Sequence, residues 1–148
     1  MDARESYSVK FANELFSAED SVLYTLKYIK DDEYHSNIYR ITKKGQPEKI
    51  TFGNHEKHPK YLNGNIYYIR YEKNKETLME IRPMEEPREI VSFAEISDYL
   101  WINNELFVIA IEKSPDNSPF ATARLKYRFN ARGLIRDYYS LFRVSEKT

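Results

Sequence analysis

The residues with the clearest chemical potential are arginines that recur every fourth position near the end of the chain: Arg124, Arg128, Arg132 and Arg136. On a helix, this spacing would align the guanidinium groups in one cationic stripe. Guanidinium pairs with carboxylate through two parallel hydrogen bonds, so the segment could bind a peptide carboxylate or an acidic partner surface. The alternative is a solvated segment whose charges are neutralised within the chain, for example by Asp116 or Asp137. These arginines are the candidate binding residues.

Catalysis within this sequence is not expected. A hydrolase nucleophile elbow needs Gly-x-Ser-x-Gly, because the sharp turn between strand and helix tolerates little bulk. None of the four glycines flanks a serine at that spacing, and the sequence has no glycine-rich phosphate loop. There is no cysteine, which excludes a thiolate nucleophile and a cysteine-based zinc site. We therefore predict no catalytic residue and no cofactor.

The histidines offer a second chemistry, metal binding. His55 and His58 are three residues apart with Glu56 between them, but a metal site needs three or four converging ligands. A polar loop before Pro59 is the favoured interpretation, so no metal is expected. His35 lies in the charged segment 30–36, which we predict to be a solvated hairpin loop.

Tyrosine-rich segments could stack on bases or sugars, and Tyr67, Tyr68 and Tyr71 are the clearest examples. Packing within a β core is favoured, because aromatic side chains suit a pleated, half-buried surface. Lysine and arginine together number 23, as do aspartate and glutamate, so the formal net charge is zero. The sequence therefore lacks the cationic excess that is typical of nucleic-acid-binding proteins. No apolar run is long enough for a membrane helix, and the polar start does not resemble a secretory signal. A cytoplasmic location is expected.

The elements that position these residues repeat about every forty residues. Apolar strand patterns begin at Leu23, Ile66 and Leu106, and a second strand follows at Ile38 and again at Leu78. Several short strands per repeat are typical of β-propeller blades. The sequence therefore predicts an all-β fold, a partial β-propeller of about three blades of antiparallel strands. The approximate blades are residues 7–52, 53–92 and 93–148.

The third repeat departs from this pattern. It begins with strands over 98–102 and 105–112, joined by the turn Asn103-Asn104. The third strand is delayed to 138–144, behind an insertion that contains the basic, aromatic segment 121–129 and the four arginines. Insertions in repeat folds tend to lie on one functional face.

Two segments carry a resemblance to a known family. Residues 48–54, His58-Pro59 and the run from Tyr61 to Tyr68 resemble blade junctions of prolyl-oligopeptidase-type serine peptidases, a pattern shared with TolB-like propellers, although Asn63 stands where that pattern has aspartate. Residues 124–133, followed by 141–144, look like the arginine-rich insertion of acylaminoacyl-peptidase-like members; Asn130-Ala131 replaces their Asp-Gly. The resemblance covers the chain from about Phe11 to Val144.

The resemblance implies a non-catalytic propeller that gates the access of short peptides to an α/β-hydrolase domain, which this sequence lacks. The hydrolase domain and short peptides would then be the partners, with the arginines near the domain interface or the end of the peptide. One alternative is a TolB-like or WD40-like protein-interaction module without a peptidase. Another is a complete chain that covers its exposed blade flanks as a homo-oligomer.

Overall fold

A computed structural model describes residues 10–111, 121–128 and 139–146 of the chain. Within these residues the regular structure is entirely β, so the all-β prediction is confirmed. The strands are β1 (Lys10–Ala18), β2 (Ser21–Lys30), β3 (Glu33–Thr42), β4 (Glu48–Lys49), β5 (Glu56–Leu62), β6 (Asn65–Glu72), β7 (Lys75–Ile81), β8 (Arg88–Phe93), β9 (Glu95–Ile102), β10 (Glu105–Ile111), β11 (Ala121–Arg128) and β12 (Ser140–Glu146).

The described strands form three four-stranded sheets, with orders β1-β2-β3-β4, β5-β6-β7-β8 and β11-β12-β10-β9. In the first sheet, β2 and β3 pair without interruption from Ser21↔Thr42 to Lys30↔Glu33. In the third sheet, β12 pairs with β10 and β11 pairs with β12. Although β12 follows β11 in the chain, β12 lies inside the sheet and β11 lies at its edge. The delayed third strand predicted for residues 138–144 is confirmed as β12.

Two-residue turns close several hairpins although the sequence has only four glycines. Both central residues have positive φ at 31–32, 63–64, 73–74 and 103–104. A type I′ turn requires this conformation, and aspartate and asparagine tolerate it better than most residues. At the first of these turns, Asp31 and Asp32 join β2 to β3 directly. The loop predicted for residues 30–36 is therefore wrong, since Glu33 already begins β3.

By its internal contacts the chain divides into two compact units. The first unit comprises Met1–Arg70 and Ile81–Glu86. Its core is centred on Leu23 and Ile38, both fully buried, with Tyr68 and Ile69 from β6. Leu23 and Ile38 come from neighbouring strands of the first sheet, and the burial of such large side chains stabilises the unit by roughly 1.5–3 kcal/mol each.

The second unit comprises Tyr71–Glu80 and Pro87–Thr148. Leu78 and Val108 are fully buried in its core. The Phe93 and Phe142 rings lie 4.7 Å apart, joining β8 to β12. Ile38 and Leu78 occupy corresponding positions in successive repeats, so the periodicity seen in the sequence also marks core positions. The predicted blade limits of 7–52, 53–92 and 93–148 stay predictions. Among the described residues, no helix is long and apolar enough to cross a membrane.

Candidate functional site

A buried polar cluster joins the first sheet to the start of β5. Its centre is Asn37 on β3, which is fully buried. The Tyr28 hydroxyl donates to Asn37 Oδ1 at 2.7 Å, and Asn37 Nδ2 donates to the Gly53 carbonyl and to Glu56 Oε1, both at 2.7 Å. The Gly53 N–H also donates to Glu56 Oε1, at 3.0 Å. The carboxylate of Glu56, a residue only 3% exposed, thus receives hydrogen bonds from both Asn37 and Gly53.

Close packing explains why Gly53 belongs to this cluster. A Cβ atom at Gly53 would lie 2.7 Å from Glu56 Oε2. That distance is shorter than an ordinary contact, so a side chain here would displace the buried carboxylate. The Glu56 N–H donates to Ser36 Oγ at 3.0 Å, and the Ser36 N–H donates to the Asn54 carbonyl at 2.9 Å. These bonds hold the chain entering β5 against β3.

Two of the histidines lie at the same junction. The His35 ring stacks on the Tyr28 ring at 5.4 Å and on the His55 ring at 5.7 Å, with interplanar angles of 12° and 5°. His35 is half-buried within β3, so the prediction of a solvated loop residue is wrong. The alternating side chains of a regular β2–β3 ladder place His35 opposite Tyr28, which explains the stack.

The third histidine, His58, meets Glu14 where β1 and β5 both bulge. The β1–β2 register shifts between Asn13 and Phe16, and the β5–β6 register shifts between Lys57 and Lys60. Glu14 and His58 lie in these bulges with φ of 58° and 61°. The His58 N–H donates to Glu14 Oε1 at 3.1 Å, and His58 Nδ1 lies 3.5 Å from Glu14 Oε2.

This pairing sets the ionisation of Glu14. Burial by itself would raise the pKa of the carboxyl, but the hydrogen bonds and the charge of His58 lower the pKa from 4.5 to about 2. Glu14 is therefore a carboxylate at every physiological pH.

Among the described residues, no group of three or more histidine, aspartate or glutamate side chains could hold a metal ion.

The second unit repeats one element of this junction. Glu76 Oε1 accepts a hydrogen bond from the Ile96 N–H at 2.6 Å. Ser36 and Glu76 occupy corresponding positions of successive repeats, as do Glu56 and Ile96, the residues whose N–H groups are bound. Thr77 and Ser92 exchange a buried hydroxyl hydrogen bond of 2.6 Å nearby. In each unit, a side chain near the start of a third strand (Ser36 on β3, Glu76 on β7) accepts a hydrogen bond from the first strand of the next repeat. Those first strands are β5 and β9.

Two further side-chain pairs lie in the second unit, one an ion pair and one a hydrogen bond. Arg88 Nε lies 2.5 Å from Glu80 Oε1, and the Glu80 side chain is nearly buried. The Tyr139 hydroxyl donates to Glu95 Oε2. That hydrogen bond, with smaller effects of burial and the nearby carboxylates, raises the pKa of Tyr139 to about 12. In the described residues these contacts hold strands together, and they do not form a nucleophile activated by a base.

The structure locates the predicted arginines only in part. Arg124 and Arg128 are backbone positions of the edge strand β11, so their segment is a strand and not the helix that would make one cationic stripe. Arg132 and Arg136 lie outside the described residues. The binding role of all four stays a prediction. For the tyrosines, core packing is confirmed at Tyr67 and Tyr68, whereas Tyr71 is 42% exposed.

Sequence reasoning missed the polar cluster around Asn37. Asn37 and Glu56 are 19 residues apart in sequence, and each resembles an ordinary surface residue there. The available signal was the tight sequence Gly53-Asn54-His55-Glu56 between two strands. Its glycine marks a close approach, which the structure assigns to the buried carboxylate.

The chain forms short antiparallel sheets that repeat about every forty residues. Side chains of one repeat bind the first strand of the next. These features define a β-propeller protein. Solved structures agree with this class. The Pyrococcus horikoshii acylaminoacyl peptidase matches 95% of the chain with a TM-score of 0.66 at 11% identity, and the chain covers 24% of that protein. An acylaminoacyl peptidase in complex with Z-Gly-Gly-Phe-chloromethyl ketone matches 93% of the chain with a TM-score of 0.66 at 12% identity, and 23% of that protein is covered.

The β-propeller domain of the trilobed protease from Pyrococcus furiosus, which has an open velcro topology, matches 97% of the chain with a TM-score of 0.63 at 9% identity, and the chain covers 58% of that domain. The predicted partial β-propeller is thereby confirmed. No curated protein sequence matches the chain. A sequence profile described as the acylaminoacyl-peptidase N-terminal β-propeller domain matches residues 25–148. The chain belongs to that family, and it spans about a quarter of the length of the two peptidases above.

Proposed function

We propose that this chain is the non-catalytic propeller portion of an acylaminoacyl-peptidase-like serine peptidase. The observation that carries the proposal is the match of the family profile to residues 25–148. The sequence has no Gly-x-Ser-x-Gly, so a hydrolase domain outside these 148 residues would supply the nucleophile. The propeller's role is to admit short peptides to that domain and exclude folded proteins.

Exposed apolar residues support a place within a larger propeller. In the first sheet, Val22 and Ile41 pair directly across strands, and each is 37% exposed. In the third sheet, Leu100 and Ile102 on β9 are 45% and 55% exposed. Blades of a propeller bury such faces against neighbouring blades, and clustered exposed apolar residues mark an interaction surface.

The product of the complete reading frame tests this function. We expect a Gly-x-Ser-x-Gly sequence in that frame, labelling by a fluorophosphonate probe, and cleavage of an N-acetylated pentapeptide. The same pentapeptide sequence placed in a loop of a folded protein should resist cleavage. If the frame encodes no hydrolase and the product binds other proteins, the alternative of a TolB-like or WD40-like interaction module replaces the peptidase.

The arginine segment has a separate test in the same protein. If the segment contacts the peptide or the hydrolase domain, Arg128→Ala and Arg132→Ala should change kcat/KM or peptide selectivity. Arg40→Ala is the matched control, since Arg40 makes an exposed ion pair of 3.3 Å with Glu48, which is worth little. Unchanged hydrolysis and selectivity in both test variants would show that the insertion has no such role.

Oligomeric state and location stay predictions. Light scattering of this chain should give a monomer or aggregates if the missing blades are required, and a discrete dimer or trimer would favour an independent, self-completing module. Cell fractionation with an antibody to the chain measures the expected cytoplasmic location.

A further inference from the structure

We propose that the contact between β1 and β5 is a pH-sensitive joint. The His58 N–H already donates to the Glu14 carboxylate, and protonation of the His58 ring adds an ion pair between the two side chains. The proposal rests on the geometry of the two facing bulges. It does not depend on the peptidase function, and it holds for an interaction module equally well.

The two bulges make Glu14 and His58 depend on each other. Each bulge interrupts a ladder, so the His58 N–H is not used in the regular β5–β6 pairing. Glu14 Oε1 accepts that N–H at 3.1 Å whatever the state of the imidazole. Glu14 Oε2 lies 3.5 Å from Nδ1, where only a protonated ring contributes charge. The side chains are 29% and 31% exposed, so solvent screens this attraction only in part.

Both residues adopt left-handed backbone conformations, which are unfavourable for residues other than glycine. Such strain persists where surrounding structure over-determines it. Here the hydrogen bond from the His58 N–H to Glu14 Oε1 holds both strained residues in place. A change in the strength of the contact between Glu14 and His58 therefore affects the backbone of both β1 and β5, and not a surface ion pair alone.

Other charged residues lie on β5 and on the strands that pack against it. The strand β5 carries Glu56, Lys57 and Lys60, β2 carries Lys27, β3 carries His35 and Arg40, and β6 carries Arg70. A positive charge near an imidazole opposes its protonation, whereas the Glu14 carboxylate, 3.5 Å from His58 Nδ1, favours it. All of these groups remain in a Glu14→Gln variant, so comparison with that variant isolates the pair.

The two titrations predict a maximum in the strength of the joint. Stability from an ionic His58 is fully present below the unfolded imidazole pKa of about 6.5 and is lost as pH rises through the folded value. Stability from ionised Glu14 is present above its unfolded pKa of 4.5 and is lost as pH falls toward its folded pKa of about 2. The joint should be strongest between about pH 4.5 and 6.5.

Nuclear magnetic resonance titration of the His58 imidazole tests the proposal directly. In the 148-residue chain we expect its midpoint to exceed that in Glu14→Gln by about half to one pH unit, roughly a three- to tenfold difference in proton affinity, on the scale of a half-buried ion pair. The carboxamide introduced by Glu14→Gln can still accept the backbone N–H, so a purely structural role would leave the midpoint unmoved. Equal midpoints in the two proteins would overturn the proposal.

Two further measurements keep the test decisive. His55→Gln changes a neighbouring histidine outside the pair, and the shift caused by Glu14→Gln should persist in that background. If Glu14→Gln does not fold, salt provides the comparison in the wild-type chain, since raising NaCl screens the pair and should lower the His58 midpoint. A midpoint that does not fall with salt would contradict an ion pair.

Discussion

Replacing Asn37 with alanine should unfold the first unit at markedly lower denaturant concentrations. The substitution removes three side-chain hydrogen bonds of 2.7 Å in a fully buried position, one of them to the Glu56 carboxylate. Neutral hydrogen bonds contribute about 0.5–1.5 kcal/mol each and those to charged groups about 1.5–3 kcal/mol. The expected loss is about 3–5 kcal/mol, increased by the carboxylate that is left with fewer donors.

Urea unfolding followed by far-ultraviolet circular dichroism measures this loss. The matched control is Asn54→Ala, because Asn54 is exposed and only its backbone carbonyl serves the junction. We expect the control to lie within about 0.5 kcal/mol of wild type, as surface substitutions usually do. A loss below about 1 kcal/mol in Asn37→Ala, less than one hydrogen bond to a charged group contributes, would refute the view that Asn37 organises the junction.

Replacing Asn37 with aspartate should make the stability of the first unit depend on pH. Asn37→Asp keeps an acceptor for Tyr28 but turns the donor facing Glu56 Oε1 into a second carboxylate oxygen, at a separation of 2.7 Å in the wild type. Two carboxylates at that distance cannot both ionise cheaply, so one proton should be shared. The variant should regain stability relative to wild type as the pH is lowered and the shared proton binds, and a constant difference would contradict the proposed contact.

Three other predictions concern residues outside the Asn37 cluster. Met84 is fully exposed with φ of 63°, so Met84→Gly should stabilise the chain by about 0.5–1 kcal/mol in urea unfolding, and destabilisation would show an unrecognised role of the side chain. Glu76→Ala removes the acceptor for the Ile96 N–H and should cost about 1–3 kcal/mol in the same assay, whereas a neutral result would mean that the repeated acceptor is dispensable. Tyr139 should ionise near its pKa of about 12, and Glu95→Ala, which removes the acceptor, should bring phenolate absorbance to lower pH; an unchanged titration would exclude the hydrogen bond as its cause.

The fold was predictable where local chemistry and repetition agree. Asn63-Gly64 marks a hairpin in the sequence, and the structure has positive φ at both residues. Asp31-Asp32 makes the same kind of turn without glycine, and its charged surroundings resemble a longer loop. The repeat also predicts strands at Ile38 and Leu78, and these equivalent positions are both fully buried in the structure.

The junction was not predictable for a physical reason. The burial of Glu56 depends on donors from Asn37 and Gly53, which only the packed sheets bring together. The facing bulges of Glu14 and His58 likewise arise from strands 44 residues apart. The order of β11 and β12 in the third sheet is also non-local, since strand patterns in sequence do not specify which strand lies at the edge.

The most direct test of the central claim is hydrolysis by the product of the complete reading frame, measured with an N-acetylated pentapeptide and with the same sequence held in a folded protein. A propeller portion of a serine peptidase predicts cleavage of the free peptide, sensitivity to a fluorophosphonate probe and resistance of the folded protein. A product that cleaves neither substrate and does not react with the probe would contradict the account.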